Sequence, residues 1–187
     1  MQTFAKRIGA FLLEEGLLQS AQLEQAISLQ EQRGGKIGEI LIGMGCLSEE
    51  TYQQSLAYLY NLPFYDKDQL LELTPDEHLL ELIPYQAALN YPVLPFRQHH
   101  EQQSIEIIAL GPLKNSEQDF LLQKTGSGTI RYGLSTTEAL HQAIRSHYGK
   151  RLWRIAKEST ETEAYQSDTS SQHSFIALRK EGFCHSC

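Results

Sequence analysis

An internal repeat near the N-terminus restricts the fold of this chain more than any other feature of its sequence. Segments 7–18 and 36–47 share a basic residue, an apolar residue, a glycine, an apolar pair and a second glycine. Corresponding positions such as Gly9 and Gly38 are 29 residues apart, and apolar positions with helical spacing follow each segment. Because two copies are too few for a solenoid, the repeat predicts a small helical unit with internal pseudo-symmetry.

The repeat predicts four short helices arranged as two similar pairs. The helical pattern extends over residues 3–60, and Gly34-Gly35 separates the two copies. Since glycines commonly end helices, the first helix of each copy is expected to stop at Gly16 or Gly45. The other predicted boundaries are a second helix beginning near Gln19 or Ser20, a third over residues 37–44, and a fourth capped by Ser48.

From residue 62 the pattern changes to short helices and strands. Residues 91–96 are expected to form an edge strand, because their two prolines cannot donate to a ladder. Residues 104–110 have the apolar character of a core strand. The remaining predicted elements are a helix with Pro75 as its first residue, a helix opened by Pro84, a helix over residues 116–124, a strand over residues 129–132, and a last helix with a capping box of Ser135 and Glu138.

The chain is therefore predicted to have an α+β fold, and its 187 residues are enough to bury a core. Residues 1–61 are expected to form the helical tandem-repeat subdomain, and residues 62–149 a small α+β subdomain with a short sheet. Residues 150–187 are expected to be a basic helix extension and a tail. Within the tail, residues 158–174 are mostly Ser, Thr, Glu and Gln and are expected to be disordered, because they cannot bury enough apolar surface.

Charge and composition exclude several classes of function. A formal net charge of −7 argues against long nucleic acid as a partner, although a small nucleotide needs only a local basic pocket. No apolar run is long enough for a transmembrane helix, and Glu14 and Glu15 interrupt any signal-peptide core. Three cysteines do not make a disulfide framework and favour a reducing compartment. We expect a cytoplasmic protein.

The sequence contains no pattern of a catalytic or metal site. The phosphate-binding motif G-x-x-x-x-G-K-[ST] is absent, and no nucleophile–base arrangement is visible, so neither an enzyme nor a cofactor is expected. His99-His100 and the terminal Cys184-His185-Ser186-Cys187 are interpreted as a solvated turn and a frayed tail rather than metal ligands. The basic stretch 150–157, with Trp153, fits either a packed helix extension or a surface that docks on a membrane or partner.

Two interpretations of the repeat remain open on chemistry alone. In the first, its glycines are caps and its apolar residues are core. The second starts from Gly9 and Gly38, which fall inside helical pattern, where glycine costs about 1 kcal/mol relative to alanine. Such a glycine usually lets another backbone or a ligand come close. The basic residue two positions earlier would face the same approach, and phosphate or a guanine edge would suit it.

The first copy reads Arg-(apolar)-Gly-x-x-(apolar)-(apolar)-x-x-Gly-(apolar)-(apolar), followed by a Leu, an apolar residue and a Gln at helical spacing. This pattern resembles the N-terminal domain of type II secretion and type IV pilus assembly ATPases, and later landmarks such as Leu62-Pro63-Phe64 extend the resemblance to about residue 149. In the MshE-like branch of that family, two such motifs bind cyclic di-GMP. The second copy departs from the pattern at Lys36 for Arg, Cys46 for an aliphatic residue, Tyr52 for Leu, and Leu59 for Gln.

The resemblance implies a non-catalytic cyclic-di-GMP receptor domain that stands without its ATPase domain. Arg7 and Lys36 would meet guanines or phosphates, and Gly9 and Gly38 would allow close approach. The remaining implied ligand residues are an apolar floor of Leu12, Leu13, Leu41 and Ile42, a polar anchor at Gln30, and the motif positions Ile8, Gly16, Leu23, Ile27, Ile37 and Gly45.

The same resemblance leaves an alternative, a protein-docking module that keeps the fold but has lost the nucleotide. Its partner would be a cytoplasmic secretion or pilus assembly component. Lysine lacks the guanidinium fork and leucine lacks the glutamine amide, so Lys36 and Leu59 are expected to make the second copy the weaker half of a nucleotide site.

Overall fold

The computed structural model describes the backbone of residues 2–155 and the side chains of residues 7–155. Within the described residues, packing places the boundary between two units at His147 and Tyr148. The expectations for residues 158–174 and for the terminal cysteines lie outside the described residues. The elements, in chain order, are α1 (Gln2–Glu14), α2 (Ser20–Arg33), α3 (Ile37–Gly43), α4 (Glu49–Tyr60), α5 (Lys67–Glu72), α6 (Glu77–Leu82), α7 (Tyr85–Asn90), β1 (Val93–His99), β2 (Ser104–Ala109), α8 (Asn115–Thr125), β3 (Thr129–Leu134) and α9 (residues 137–155).

The four helices of the repeat pair across the two copies. Helix α1 packs against α4, and α2 packs against α3. The same turn ends the first helix of each copy, with Gly16 at φ 67° and Gly45 at φ 70°. The amide that follows each glycine donates to the carbonyl five residues earlier and closes the helix, from Leu17 N to Leu12 O at 2.9 Å and from Cys46 N to Leu41 O at 3.1 Å. The sequence repeat is therefore also a repeat of structure.

The core of the four repeat helices contains corresponding residues from both copies. Ile8 and Ile37 occupy equivalent positions and are 0% and 4% exposed, and Leu12 and Leu41 are both fully buried. Leu56 of α4 joins the same cluster. Burying large aliphatic side chains contributes about 1.5–3 kcal/mol each, so this shared core is what holds the two copies together.

A three-stranded sheet of order β1-β2-β3 forms the second part of the unit, which confirms the predicted α+β fold. Strand β2 lies in the centre, antiparallel to β1 and parallel to β3. As predicted, the proline-containing strand lies at an edge, and its register shifts between Pro95 and Arg97. A second core cluster lies under the sheet, where Ile105, Ile107 and Leu121 are fully buried.

Three local predictions for this part of the chain were incomplete or wrong. Helix α5 was not predicted; it begins with a capping box in which the Gln69 amide donates to Asp66 Oδ1 and the Asp66 amide donates to Gln69 Oε1. Pro75 precedes the N-cap Asp76 instead of opening α6. Ser135 does not cap the last helix, because it is fully buried and its hydroxyl donates to the Tyr65 carbonyl at 2.7 Å.

The start of α9 is capped instead by a residue of the repeat. One carboxylate oxygen of Glu49, in the first turn of α4, accepts from the Thr137 amide at 2.8 Å and from the Thr137 hydroxyl at 2.5 Å. One turn later on α4, the buried Gln53 donates to the Leu110 carbonyl at 3.0 Å. Helix α4 is thus hydrogen-bonded to the segment that follows β2 and to the segment that follows β3.

Glu49→Ala is expected to lower the free energy of unfolding by about 1–2 kcal/mol, because it leaves the Thr137 donors without their charged acceptor. The matched control is Glu50→Ala, which removes from the same first turn a carboxylate that accepts a hydrogen bond from the exposed Gln54. Urea denaturation of both variants separates the cap from the general effect of charge at a helix start. Equal losses in the two variants would contradict this role of Glu49.

Candidate functional site

The residues predicted to bind a ligand divide into a buried and an accessible set. The buried set belongs to the helical core and comprises Ile8, Gly9, Leu12, Ile37, Gly38 and Leu41. The set that reaches the surface comprises Arg7, Leu13, Gly16, Leu23, Ile27, Gln30, Lys36, Ile42 and Gly45. Of the expected apolar floor, Leu12 and Leu41 are fully buried, so only Leu13 and Ile42 can offer side-chain surface to a ligand in this conformation.

The two glycines inside helices are each covered by a side chain from the next helix of the same copy. A Cβ atom on Gly9 would lie 3.2 Å from both δ-carbons of Leu23. A Cβ atom on Gly38 would overlap Cζ and Cε1 of Tyr52 and lie 2.5 Å from its Oη. Leu23 and Tyr52 are themselves 29 positions apart. The close approach expected at these glycines therefore exists, and a protein side chain makes it.

Tyr52 explains one departure of the second copy from the family pattern. Burial, with smaller contributions from Tyr60 and Glu39, raises the pKa of Tyr52 to about 12. The phenol therefore stays neutral under ordinary conditions, and its ring fills the space over Gly38 that leucine fills over Gly9. Tyrosine thus has the same packing role in the second copy that leucine has in the first.

Arg7 is exposed and is held against an aromatic ring of α4. Its guanidinium carbon lies 5.5 Å from the centroid of the Tyr60 ring, within the range of a cation–π contact. One turn further along α1, the rings of Phe11 and Tyr58 stack with centroids 5.5 Å apart and planes at 28°. These contacts run along the α1–α4 pair, so Arg7 is positioned by the helix that belongs to the other copy.

Lys36, the counterpart of Arg7, is also exposed and is the N-cap residue of α3. The spacer before it is held by Gln30, whose Nε2 donates to the Gly35 carbonyl at 2.9 Å. Gly34 and Gly35 both have positive φ, at 72° and 94°, which this tight turn requires. Gln30, predicted as an anchor for the ligand, thus anchors the turn that leads into Lys36.

The local charge of the repeat is unfavourable to anions except at these positions. Residues 7–61 contain seven glutamates but three basic residues, namely Arg7, Arg33 and Lys36. An anionic ligand would therefore depend on individual cations rather than on a broad basic face.

The described residues show no cluster suited to a metal. His99 Nε2 lies 3.4 Å from Glu106 Oε2, and no group of three or more His, Cys, Asp or Glu side chains suited to a metal occurs within residues 7–155. Among the helices that the structure describes, none has both the length and the hydropathy needed to cross a bilayer.

Sequence reasoning did not select the aromatic residues of the α1–α4 pair. Phe11, Tyr58 and Tyr60 lie outside the motif positions, and their contacts depend on α1 pairing with α4 rather than with its neighbour α2. The one available signal was the aromatic character of the end of α4, where Tyr58 and Tyr60 stand two residues apart.

No protein-family model matches the chain. Among curated proteins it is similar to the type IV pilus assembly ATPase PilB of Thermus thermophilus, with 29% identity over 76% of this chain and 16% of the relative. It is also similar to PilB of Myxococcus xanthus, with 25% identity over 78% of this chain and 25% of the relative. The chain therefore spans a quarter or less of the length of these relatives.

Two solved structures share the fold. One is a structure of MshE with cyclic di-GMP, with a TM-score of 0.63 and 27% identity over 76% of this chain and 99% of that chain. The N-terminal domain of XpsE has a TM-score of 0.59 and 19% identity over 76% of this chain and 94% of that chain. These likenesses confirm the predicted resemblance: the chain is similar in sequence and fold to the N-terminal domains of type II secretion and type IV pilus assembly ATPases.

Proposed function

We propose that the chain is a non-catalytic regulatory domain that binds cyclic di-GMP and acts with type II secretion or type IV pilus machinery in the cytoplasm. The main support is the tandem repeat itself, folded as a pseudo-symmetric helical unit in the fold of MshE, whose structure holds that nucleotide. Cyclic di-GMP is a two-fold symmetric molecule, so a two-fold repeat offers each half of the ligand a similar surface.

Arg7 is the residue best suited to recognise this ligand. It is exposed, and the Tyr60 ring restricts the position of its guanidinium group. A guanidinium fork pairs bidentately with guanine O6 and N7 or with phosphate oxygens. Lys36 supplies a point charge at the corresponding position, without the fork.

Calorimetric titration of cyclic di-GMP into the wild type and Arg7→Ala tests the proposal. The wild type is expected to bind saturably, and Arg7→Ala to lose about 10- to 100-fold in affinity, because a charge-assisted hydrogen bond contributes about 1.5–3 kcal/mol. Arg131→Ala is the matched control, because it removes one positive charge from an exposed position of β3. The Arg131 guanidinium donates a hydrogen bond to Gln102.

A wild type that gives neither heat nor a thermal shift at high ligand concentration would contradict nucleotide binding. That result would favour the second candidate, a docking module for a cytoplasmic secretion or pilus assembly protein. Two observations favour this candidate. Lys36 and Leu59 of the second copy stand where the first copy has arginine and glutamine. In addition, Gln30 Nε2 already donates a hydrogen bond to the Gly35 carbonyl.

A further inference from the structure

The two helix pairs of the repeat present different chemistry at equivalent positions. On the α1–α4 pair, Phe11 stacks on Tyr58 and Arg7 lies over Tyr60. A shift by one repeat length converts each of these positions into its counterpart on the α2–α3 pair. Phe11 and Tyr58 correspond to Ile40 and Leu29, and Arg7 and Tyr60 correspond to Lys36 and Glu31. The pseudo-symmetry of the backbone is therefore not a symmetry of the surface.

Tyr58 has the properties of a stacking surface for a planar ligand. The residue is 77% exposed, although it is a large aromatic residue in a helix that contributes to the core. The half-buried Phe11 ring supports it at 5.5 Å, which limits the freedom of the Tyr58 ring while leaving most of it open to solvent. Aromatic rings held in this way stack on nucleobases, and loss of one such contact commonly weakens binding about 10- to 100-fold.

We propose that the two helix pairs take unequal shares of the ligand. On the α1–α4 pair, Tyr58 stacks on one guanine base while Arg7 pairs with that base or its phosphate. On the α2–α3 pair, Lys36 contacts the other half through charge alone, with no ring to stack on its base. This inference rests on the proposed function and deepens it. Since α4 belongs to the second copy, the stronger half-site is built from both copies.

The competing explanation is that Tyr58 only shields the α1–α4 interface. Removal of its ring would then change stability but not the affinity of the folded protein. Tyr58 is 77% exposed and so covers little buried surface, and Tyr58→Ala is therefore expected to remain folded. Tyr58→Phe keeps a stacking ring, and Leu29→Ala truncates the residue that corresponds to Tyr58 on the other pair.

Calorimetric titration of cyclic di-GMP into these variants tests the unequal division. We expect Tyr58→Ala to lose about 10- to 100-fold in affinity, and Tyr58→Phe and Leu29→Ala to stay within about threefold of the wild type. A second readout is the proton NMR signal of guanine H8, which should split on binding into a strongly shielded and a weakly shifted resonance. Only a base stacked on a ring gives the strong shift, and Tyr58→Ala should remove it.

The outcomes separate this inference from the function on which it rests. If the wild type and Tyr58→Ala bind cyclic di-GMP with equal affinity, the stacking role is overturned and the proposed function stands. Equal losses in Tyr58→Ala and Leu29→Ala, or two equally shifted H8 signals, overturn the unequal division. A wild type that does not bind at all overturns the proposed function, and this inference with it.

Discussion

Gly38→Ala is expected to lower the free energy of unfolding by about 2–3 kcal/mol, whereas Gly9→Ala should change it by less than about 1 kcal/mol. The two glycines occupy equivalent positions, but the added methyl group would meet different neighbours. At Gly38 it would overlap the buried ring of Tyr52, which is rigid and only 8% exposed. At Gly9 it would lie 3.2 Å from the flexible end of Leu23, which can shift by a few tenths of an ångström.

Urea denaturation of both variants measures this difference. Alanine also gains about 1 kcal/mol over glycine inside a helix, which offsets the mild crowding at Gly9 but not the overlap at Gly38. The double variant Gly38→Ala/Tyr52→Leu should recover most of the lost stability, because it gives the second copy the same alanine–leucine pair that the mild Gly9→Ala variant has at the first. If Gly38→Ala proved as mild as Gly9→Ala, Tyr52 would not be fixed over Gly38 as the structure places it.

Leu12→Ala and Leu41→Ala are each expected to lower the free energy of unfolding by about 3–5 kcal/mol, the range for a leucine deleted from a closed core. Both side chains are fully buried, and they occupy equivalent positions in the two copies. Typical domains have 5–15 kcal/mol of stability in total, so either variant approaches the limit of folding. Leu13→Ala, at the half-buried neighbouring position, should cost less than half as much.

The same variants also test whether the ligand contacts the buried leucines. For this test, cyclic-di-GMP affinity is measured at a temperature where each variant is still folded. A buried leucine supports the site only through the fold, so folded Leu41→Ala should keep the affinity of the wild type. A large loss of affinity in a variant shown to be folded would mean that the ligand reaches Leu41, which requires the helices to open on binding. Ile42→Ala, at a half-buried position, controls for accessible apolar surface.

The elements of the fold were largely predictable because their signals are local. The glycines at Gly16 and Gly45 mark helix ends in the sequence, and both have the expected positive φ in the structure. The errors arose where a residue with a local signal has a distant partner. Ser135 has the sequence of a cap but bonds the Tyr65 carbonyl, and the actual cap of α9 is Glu49, 88 positions earlier. No single-sequence pattern relates residues so far apart.

The surroundings of the predicted site residues were less predictable than the helices. A glycine inside a helix indicates that something approaches closely, but it does not indicate what, and at Gly38 the neighbour is Tyr52. Apolar periodicity likewise does not separate Leu12, which is buried, from Leu13, which is half-buried, because both lie in one continuous apolar run. The partners of Arg7 depend on the pairing of α1 with α4, which only the tertiary structure shows.

The pairing of helices across the copies also sets an order for folding during synthesis. Helix α2 finds its partner α3 after a spacer of a few residues, whereas α1 must wait until residue 60 has been made before α4 is complete. A nascent chain that ends at α3 cannot bury Ile8 and Leu12 against α4. We therefore expect the contact between Arg7 and Tyr60 to form in the last step of closing the repeat, so that the half of the unit with the strongest candidate chemistry forms last.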